Sequence, residues 1–214
     1  MIDYENMPVI VTGVQRSGAT FIARILDICQ VFTGTPLTGM RENKGIKYLI
    51  DDYYQKLQLH VEGQYPLPDI NNLLIPHNWH EKVINELKKQ NYNKKQVWMY
   101  KGHRACQMFP VWAHAFPNAR WIIVRRRTGD IIRSCMHTSY MTAFDNQEDW
   151  KMWVREHENL FVEMIQTGLN CKVIWPERMA RGDYQQIYEM LDWLKLRWNS
   201  KVISEIDTML WKSR

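Results

Sequence analysis

Short apolar runs alternate with longer segments of helical period along most of the chain. The runs are rich in β-branched and aromatic residues and predict strands over residues 9–12, 97–100, 120–124 and 171–175. Between them, apolar residues recur with the helical period, which predicts helices over residues 20–29, 80–91, 106–115, 129–140 and 148–168. Because strands that are apolar at nearly every position need cover on both faces, the pattern predicts a three-layer α/β fold with a central parallel sheet.

The remaining segments differ in how clearly they are patterned. The C-terminal third is predicted to be almost wholly helical, with helices over residues 184–194, where Asp183 is a suitable N-cap, and 199–211. Residues 31–79 are irregular apart from one helix around residues 46–59. We interpret residues 31–96 as an insertion that covers an acceptor site, because long connections of this kind often carry function. An excursion that only packs is the alternative.

The composition predicts the number of domains and the charge of the expected partner. A chain of 214 residues with 45% hydrophobic and 24% charged residues predicts one domain over residues 1–214. The net charge of +5 favours an anionic partner, which could be a nucleotide, an acidic surface or nucleic acid. The cysteines lie far apart in apolar segments and form no CxxC pair, so we expect reduced core thiols and no metal site: Cys29, Cys106, Cys135 and Cys171.

The sequence also bears on location. No stretch approaches the roughly 18 apolar residues that a membrane-spanning helix needs. The first ten residues carry two acids, where a signal peptide would begin with basic residues. We therefore expect a cytoplasmic protein without a membrane span.

The stretch VIVTGVQRSGATFIARILDIC, residues 9–29, joins the first strand to the first helix through a loop with two glycines. A helix N-terminus presents unpaired N–H groups and the positive end of the helix dipole, so an anion site is expected beyond this strand. Gly13 and Gly18 let the backbone approach a ligand closely. Donor side chains stand in the same loop: Arg16, Ser17 and Thr20. The lysine of an ATP- or GTP-binding P-loop is absent, since Ala19 follows Gly18.

A second strand, turn and helix follow in FPNARWIIVRRRTGDIIRS, residues 116–134. Three successive arginines, residues 125–127, leave the end of a strand that should neighbour the first one. Their side chains cannot all point the same way, so at most two of them can serve one ligand. An arginine run alone is more typical of a solvated surface or an RNA contact. Its pairing with the first loop favours a shared nucleotide site.

The two motifs together resemble those of the sulfotransferase family, whose sulfuryl donor is 3'-phosphoadenosine-5'-phosphosulfate (PAPS). The motifs are GxxRSGxT after the first strand and FPNAxxIxxxRxxxDxxxS later in the chain. The segment WPERMARGDYQQIYEMLDWLKL also resembles the family's late region, so the resemblance covers residues 9–196. It implies a P-loop-like nucleotide-binding topology for the α/β fold.

The resemblance also implies roles for individual residues. Arg16 would contact the transferring sulfuryl group, and the amides of Ser17, Gly18, Ala19 and Thr20 would hold the 5'-phosphate. Phe21 would lie against the adenine. Arg126 and Ser134 would hold the 3'-phosphate, with Asp130 fixing the turn. Two departures from the family pattern stand out: Ala19 replaces a threonine, and Thr128 and Gly129 replace a proline and a basic residue.

A general base is expected beyond the strand at residues 97–100. Lys101 and His103 in WMYKGHRA match a lysine and histidine of the family's cytosolic members, and a histidine titrates near neutrality. Lys101 would neutralise charge on the leaving group. A carboxylate from the insertion, Glu42 or Glu62, is the competing base. His77 and His80 are candidates for lining the acceptor pocket. Sulfuryl transfer with these groups requires no metal.

The leading hypothesis is a PAPS-dependent sulfotransferase that transfers a sulfuryl group in line to a hydroxyl or amine, with His103 as base. The expected acceptor is a small molecule or a glycan, with no nucleic-acid partner; the sequence leaves oligomeric state open. One alternative is an ATP-dependent kinase with a P-loop, which should have carried a lysine beside Thr20. Others are a basic RNA- or DNA-binding module and a sulfotransferase-like protein that binds PAPS without turnover.

Overall fold

Four parallel strands form the sheet in the part of the chain that the structure describes. The computed structural model describes residues 3–37 and 39–211. Its strands are β1 (Val9–Gly13), β2 (Met99–Lys101), β3 (Arg120–Val124) and β4 (Cys171–Ile174). They are hydrogen-bonded in the order β2-β1-β3-β4, and Gly13 lies opposite Val124 in the register of β1 and β3. The predicted parallel sheet is confirmed, and β1 and β3 end side by side.

Helices connect and flank the strands. Their bounds are α1 (Ala19–Ile28), α2 (Lys44–Lys56), α3 (Trp79–Lys89), α4 (Arg104–Gln107), α5 (Phe109–Ala115), α6 (Thr128–Met136), α7 (Gln147–Gln166), α8 (Pro176–Met179), α9 (Gln185–Leu194) and α10 (Lys201–Trp211). Two short 3-10 helices add Tyr4–Asn6 and Ile70–Asn72. No described helix is both long and apolar enough to cross a bilayer.

The helices form a layer on each face of the sheet. Ile10 and Ile123 point into a core that α2, α3, α5 and α7 cover. Val11 and Ile122 point to the opposite side, into a core covered by α1, α9 and α10. This alternation follows from the two-residue period of a strand and makes the structure the predicted three-layer α/β fold.

Two predicted helices end differently in the structure. The predicted helix over residues 106–115 is divided at Met108 between α4 and α5. Pro110 explains the break, because proline lacks the N–H that would bond to the preceding turn and its ring collides with that turn's carbonyl. The predicted helix over residues 129–140 ends at Met136, which leaves Tyr140 in a loop. Asp183 lies one position before the N-cap of α9, and its Oδ1 accepts from the Gln185 amide at 3.1 Å.

The described part of residues 31–79 holds the one predicted helix, as α2, and is otherwise loops and turns apart from isolated β-bridges, the 3-10 helix Ile70–Asn72 and the first residue of α3. Ile50 of α2 and Val83 of α3 are fully buried, so residues 44–89 build much of one helical layer. Two of its loops, residues 39–43 and 61–64, reach the end of the sheet where the strands finish, as described below. His80 does not: its Nε2 lies 2.7 Å from Oδ1 of Asn6, at the opposite end of the sheet, so its expected place in the acceptor pocket is wrong.

Candidate functional site

The loops that follow β1 and β3 contact each other through three residues of the two motifs. Arg126 donates from Nη1 to the main-chain oxygen of Arg16 at 3.1 Å. Arg16 in turn donates from Nε to Oγ of Ser134 at 2.8 Å. The contacts join residues more than a hundred positions apart because β1 and β3 are neighbours that end in the same register. The geometry therefore brings both motifs to one place, beyond the carboxyl ends of the strands.

The loop between β1 and α1 is shaped for close approach of a ligand to its backbone. A Cβ on Gly13 would lie 2.4 Å from the Val124 oxygen, so only glycine fits there. Gly18 has a φ of +97°, in the left-handed region that favours glycine, and is the N-cap of α1. The Ser17 amide donates to the Val14 oxygen at 3.0 Å. Within the described chain, the amides of residues 18–20 have no hydrogen-bond acceptor, and the positive end of the α1 dipole lies there.

The Ser17 hydroxyl is an unsatisfied polar group inside this loop. Ser17 is 1% exposed, and its Oγ has no hydrogen-bond partner among the described residues. An unsatisfied buried hydroxyl costs about 1–3 kcal/mol, so such groups are rare unless a ligand pairs with them. Together with the free amides of residues 18–20, it makes a set of donors that fits a phosphate or sulfate group.

The three arginines after β3 differ in their charge partners. Arg125 forms an ion pair with Glu158 and lies over the Trp175 ring. The Arg127 amide donates to the Glu177 carboxylate at 2.8 Å, and its guanidinium lies 3.5 Å from the same carboxylate. Arg126 has no carboxylate partner among the described ion pairs. Of the three charges, that of Arg126 is the one available to an anion beside the first loop.

Beyond β2, Lys101 is held by the loop of residues 39–43. Its Nζ donates to the Met40 oxygen at 2.9 Å and to Oε1 of Glu42 at 3.2 Å. Both partners of this ion pair are nearly buried. Thr20 also donates to the Met40 oxygen, at 3.4 Å, which joins this loop to the start of α1. Lys101 and Glu42 are therefore adjacent to the anion-binding loop, but bound to each other.

His103 is fixed in one neutral tautomer. Its Nε2 lies 2.8 Å from the main-chain oxygen of Glu62, and since a carbonyl can only accept, Nε2 carries the hydrogen. Burial, together with the nearby positive charge of Arg104, lowers the pKa of His103 well below its usual range. The ring is thus uncharged at neutral pH, with Nδ1 as its free acceptor atom. The Glu62 side chain itself is exposed.

The segment that holds His103 is itself fixed by four consecutive carbonyls. In this strap, residues 61–64, each main-chain oxygen accepts a hydrogen bond from a side chain of the α4 region or of α7: Arg104, His103, Gln107 and Trp153, in that order along the strap. Gln107 Nε2 also donates to Nε2 of the buried His157, at 3.0 Å. The position of the His103 ring therefore depends on a buried network.

The structure brings most of the predicted site residues together, with one exception. Phe21 is 7% exposed and packs in the core beneath α1, so its ring offers little surface to an adenine. Two residues that the sequence pattern did not identify also belong to the site. Tyr140 accepts from Nη1 of Arg16 at 2.8 Å, and the Tyr140 main-chain oxygen accepts from Nε2 of Gln64 at 2.6 Å. No local pattern marks these contacts.

Metal ligation is not supported in the described part of the chain, where no group of three or more His, Cys, Asp or Glu side chains could hold an ion.

A family model described as "Sulfotransferase family" matches residues 8–200. No curated protein sequence matches the chain significantly.

The fold is similar to that of solved sulfotransferases. A sulfotransferase of Mycobacterium avium superposes with a TM-score of 0.56 at 14% identity, over 95% of this chain and 67% of that protein. A sulfotransferase of Mycobacterium tuberculosis superposes with a TM-score of 0.50 at 14% identity, over 95% of this chain and 71% of that protein.

Proposed function

Since the chain belongs to the sulfotransferase family, we propose that it transfers a sulfuryl group from PAPS to a hydroxyl or amine of a small-molecule or glycan acceptor. The observation that carries the proposal is the meeting of two sets of anion-binding groups, of which the first has no hydrogen-bond partner and the second contains an arginine without a carboxylate partner among the described residues. One set is the Ser17 hydroxyl and the free amides of residues 18–20, and the other is Arg126 with Ser134. A nucleotide with phosphates at both its 5' and 3' positions fits this pair of sites.

Each part of the donor has protein groups that suit it. The amides of residues 18–20 and the Ser17 hydroxyl would hold the 5'-phosphosulfate, where the dipole of α1 favours negative charge. Arg126 and Ser134 would hold the 3'-phosphate through charge-assisted hydrogen bonds. When bound, PAPS supplies the activated sulfuryl group, and adenosine 3',5'-bisphosphate leaves.

The proposed base is His103, which would take the acceptor's proton on Nδ1. The strap oxygen of Glu62 holds the opposite nitrogen, so the ring is oriented and neutral before an acceptor arrives. Lys101 would place a positive charge beside the leaving group. Glu42 is the competing base, but its carboxylate already accepts from Lys101 in the buried ion pair.

A cytoplasmic location is part of the same proposal. The buried free thiols Cys29, Cys106 and Cys135 support it, because thiols stay reduced in the cytosol.

A panel of ligands tests the donor assignment. We expect adenosine 3',5'-bisphosphate to raise the thermal unfolding temperature, because a ligand that binds the native state stabilises it by mass action. ATP with magnesium should have little effect, and a DNA or RNA oligonucleotide should not displace the bisphosphate. Stabilisation by ATP with magnesium but not by the bisphosphate would support a kinase instead. Labelled PAPS, offered with phenols, sugars, lipids and amines in turn, then identifies the acceptor class.

A further inference from the structure

Arg104 is a charged side chain buried directly beside the proposed base. It is 2% exposed and follows His103, the N-cap of α4. Its Nη2 lies 2.7 Å from Oδ1 of Asp51 in α2, and its Nη1 donates to the Val61 oxygen at the start of the strap. Apolar side chains of similar size often stabilise a core as well as a buried ion pair does. The pair is therefore weak evidence for stability, and its contact with the strap indicates its role.

The strap and the side chain of Arg104 are packed closely against each other. A Cβ on Gly63 would lie 2.5 Å from Cγ of Arg104 and 2.8 Å from Cδ, so a side chain there would collide with the arginine stem. Gly63 also has a φ of +60°, in the left-handed region that favours glycine. The guanidinium carbon lies over the Tyr54 ring, 5.1 Å from its centre. The guanidinium thus has a fixed position between α2 and the strap.

The strap connects this fixed position to the ring of His103. Val61 and Glu62 are consecutive, and their oxygens accept from Arg104 and from Nε2 of His103 respectively. Because each residue has only two soft dihedral angles, a shift of the Val61 oxygen would also shift the Glu62 oxygen. That second oxygen determines which ring nitrogen carries the hydrogen. Arg104 therefore acts on the ring through the strap.

Arg104 also places a positive charge near the ring. Burial is the first cause of the lowered pKa of His103, and the charge of Arg104 is the second. The titratable and charged groups around the ring, with their ion-pair partners, come from five elements: Arg104 of α4 with Asp51 of α2, Lys101 of β2 with Glu42 of the loop of residues 39–43, and His157 of α7.

Resting on the proposed function, we infer that Arg104 is a positioning residue for the base. It holds the strap at Val61 and lies beside the ring, which keeps His103 in one neutral form with Nδ1 free for the acceptor's proton. Asp51 holds the guanidinium in turn. In this role Arg104 touches neither the donor nor the acceptor.

Nuclear magnetic resonance of the His103 ring tests the inference without an acceptor. Nitrogen shifts report which ring nitrogen carries the hydrogen, a titration gives the midpoint of protonation, and His103→Gln identifies the signals by their loss. The unaltered protein should show hydrogen on Nε2 and a midpoint below 6.5. Arg104→Gln should add the second tautomer and raise the midpoint by about half a pH unit or more, because a positive charge and a strap contact are lost.

Arg104→Lys separates the two effects and replaces Arg104→Gln should that variant not fold. A lysine keeps the charge but cannot reproduce the fork that reaches both Asp51 and Val61, so the midpoint should stay while the second tautomer appears. Once an acceptor is known, kcat of Arg104→Lys should fall by about 10- to 100-fold with the affinity for adenosine 3',5'-bisphosphate unchanged. Arg155→Gln, at an exposed arginine of α7, is the matched control and should change none of these.

The outcomes distinguish the inference from the proposed function. Arg104 variants that bind the bisphosphate and keep a single tautomer, with hydrogen on Nε2, overturn the inference alone. An unaltered protein with hydrogen on Nδ1 overturns it as well. If the unaltered protein does not bind the bisphosphate, the proposed function fails, and the assignment of a base to be positioned fails with it.

Discussion

Arg126 donates a hydrogen bond to the main-chain oxygen of Arg16 across 110 residues of sequence. Together with the hydrogen bond from Arg16 to Ser134, the contact fixes the distance between the loops that follow β1 and β3. It uses one nitrogen of the guanidinium and leaves the others free to bind a ligand. A rigid spacing between the two loops is what a ligand with two separate anionic groups requires.

The first prediction concerns the three arginines after β3. Arg126→Ala should weaken binding of adenosine 3',5'-bisphosphate by about 10- to 100-fold, because its charge has no competing carboxylate. Arg127→Ala is the matched control and should change the affinity by less than about 3-fold, since Glu177 already compensates that charge. Calorimetry on both variants checks the difference. Equal losses would show that the arginines act only as a diffuse positive patch.

The second prediction uses the unsatisfied hydroxyl of Ser17. Ser17→Ala removes a buried polar group without a protein partner, so the free protein should unfold at the same temperature or a higher one. Thr12→Val provides the contrast, because the Thr12 hydroxyl accepts from the Cys106 amide at 3.2 Å and donates to the His103 oxygen at 3.3 Å. Its loss should destabilise the protein by about 1–3 kcal/mol.

Thermal unfolding of the two variants without ligand measures these effects. A destabilisation of Ser17→Ala as large as that of Thr12→Val would mean that the Ser17 hydroxyl already has a protein partner. The Ser17 hydroxyl would then not be an unsatisfied group available to a ligand.

The strands and the two motifs could be predicted because their signals are local. The residues of β1 and β3 are apolar at nearly every position, as expected for strands buried on both faces. The contacts of Tyr140 could not be predicted, since Gln64 lies 76 residues away and neither residue follows a periodic pattern. The tautomer of His103 likewise depends on a carbonyl of the insertion, 41 residues away. Such relationships arise from tertiary packing, which short-range periodicity does not encode.

The third prediction distinguishes the two candidate bases. His103→Ala should lower kcat by about a hundred- to ten-thousand-fold while the affinity for the bisphosphate stays nearly constant. Glu42→Gln should have a much smaller effect on kcat, because the carboxylate is bound to Lys101. Once an acceptor is known, steady-state kinetics on both variants checks this. A larger loss in Glu42→Gln would identify Glu42 as the base.

The pH dependence of kcat/KM provides a further test of the same residue. Because burial lowers the pKa of His103 below the ordinary 6.5, the base is already neutral at pH 7. Activity should therefore be constant around neutrality and fall only on acidification, with a midpoint below 6.5. This acidic limb should be absent from the residual activity of His103→Ala. A midpoint at or above 6.5 would contradict the environment that the structure gives this ring.

The fourth prediction concerns acid stability and His157. Burial lowers the pKa of this histidine from 6.5 to about 4, and its neutral Nε2 accepts from Gln107. Between these values the unfolded chain binds a proton that the folded chain does not, so the free energy of unfolding falls as the pH is lowered. The shift corresponds to a loss of about 3 kcal/mol for this one group.

Denaturant unfolding from pH 7 to pH 4 measures this loss. His157→Gln keeps an acceptor for Gln107 but cannot be protonated, so its stability should depend less on pH in that range. His114→Gln is the control at an exposed histidine and should keep the pH dependence of the unaltered protein. An unchanged slope in His157→Gln would show that His157 does not titrate with a lowered pKa.

A crystal structure of the complex with adenosine 3',5'-bisphosphate tests the central claim most directly. We expect the 5'-phosphate to accept from the Ser17 hydroxyl and the amides of residues 18–20, and the 3'-phosphate to lie against Arg126 and Ser134. A nucleotide bound in the reverse orientation, or away from the meeting point of the two loops, would contradict it.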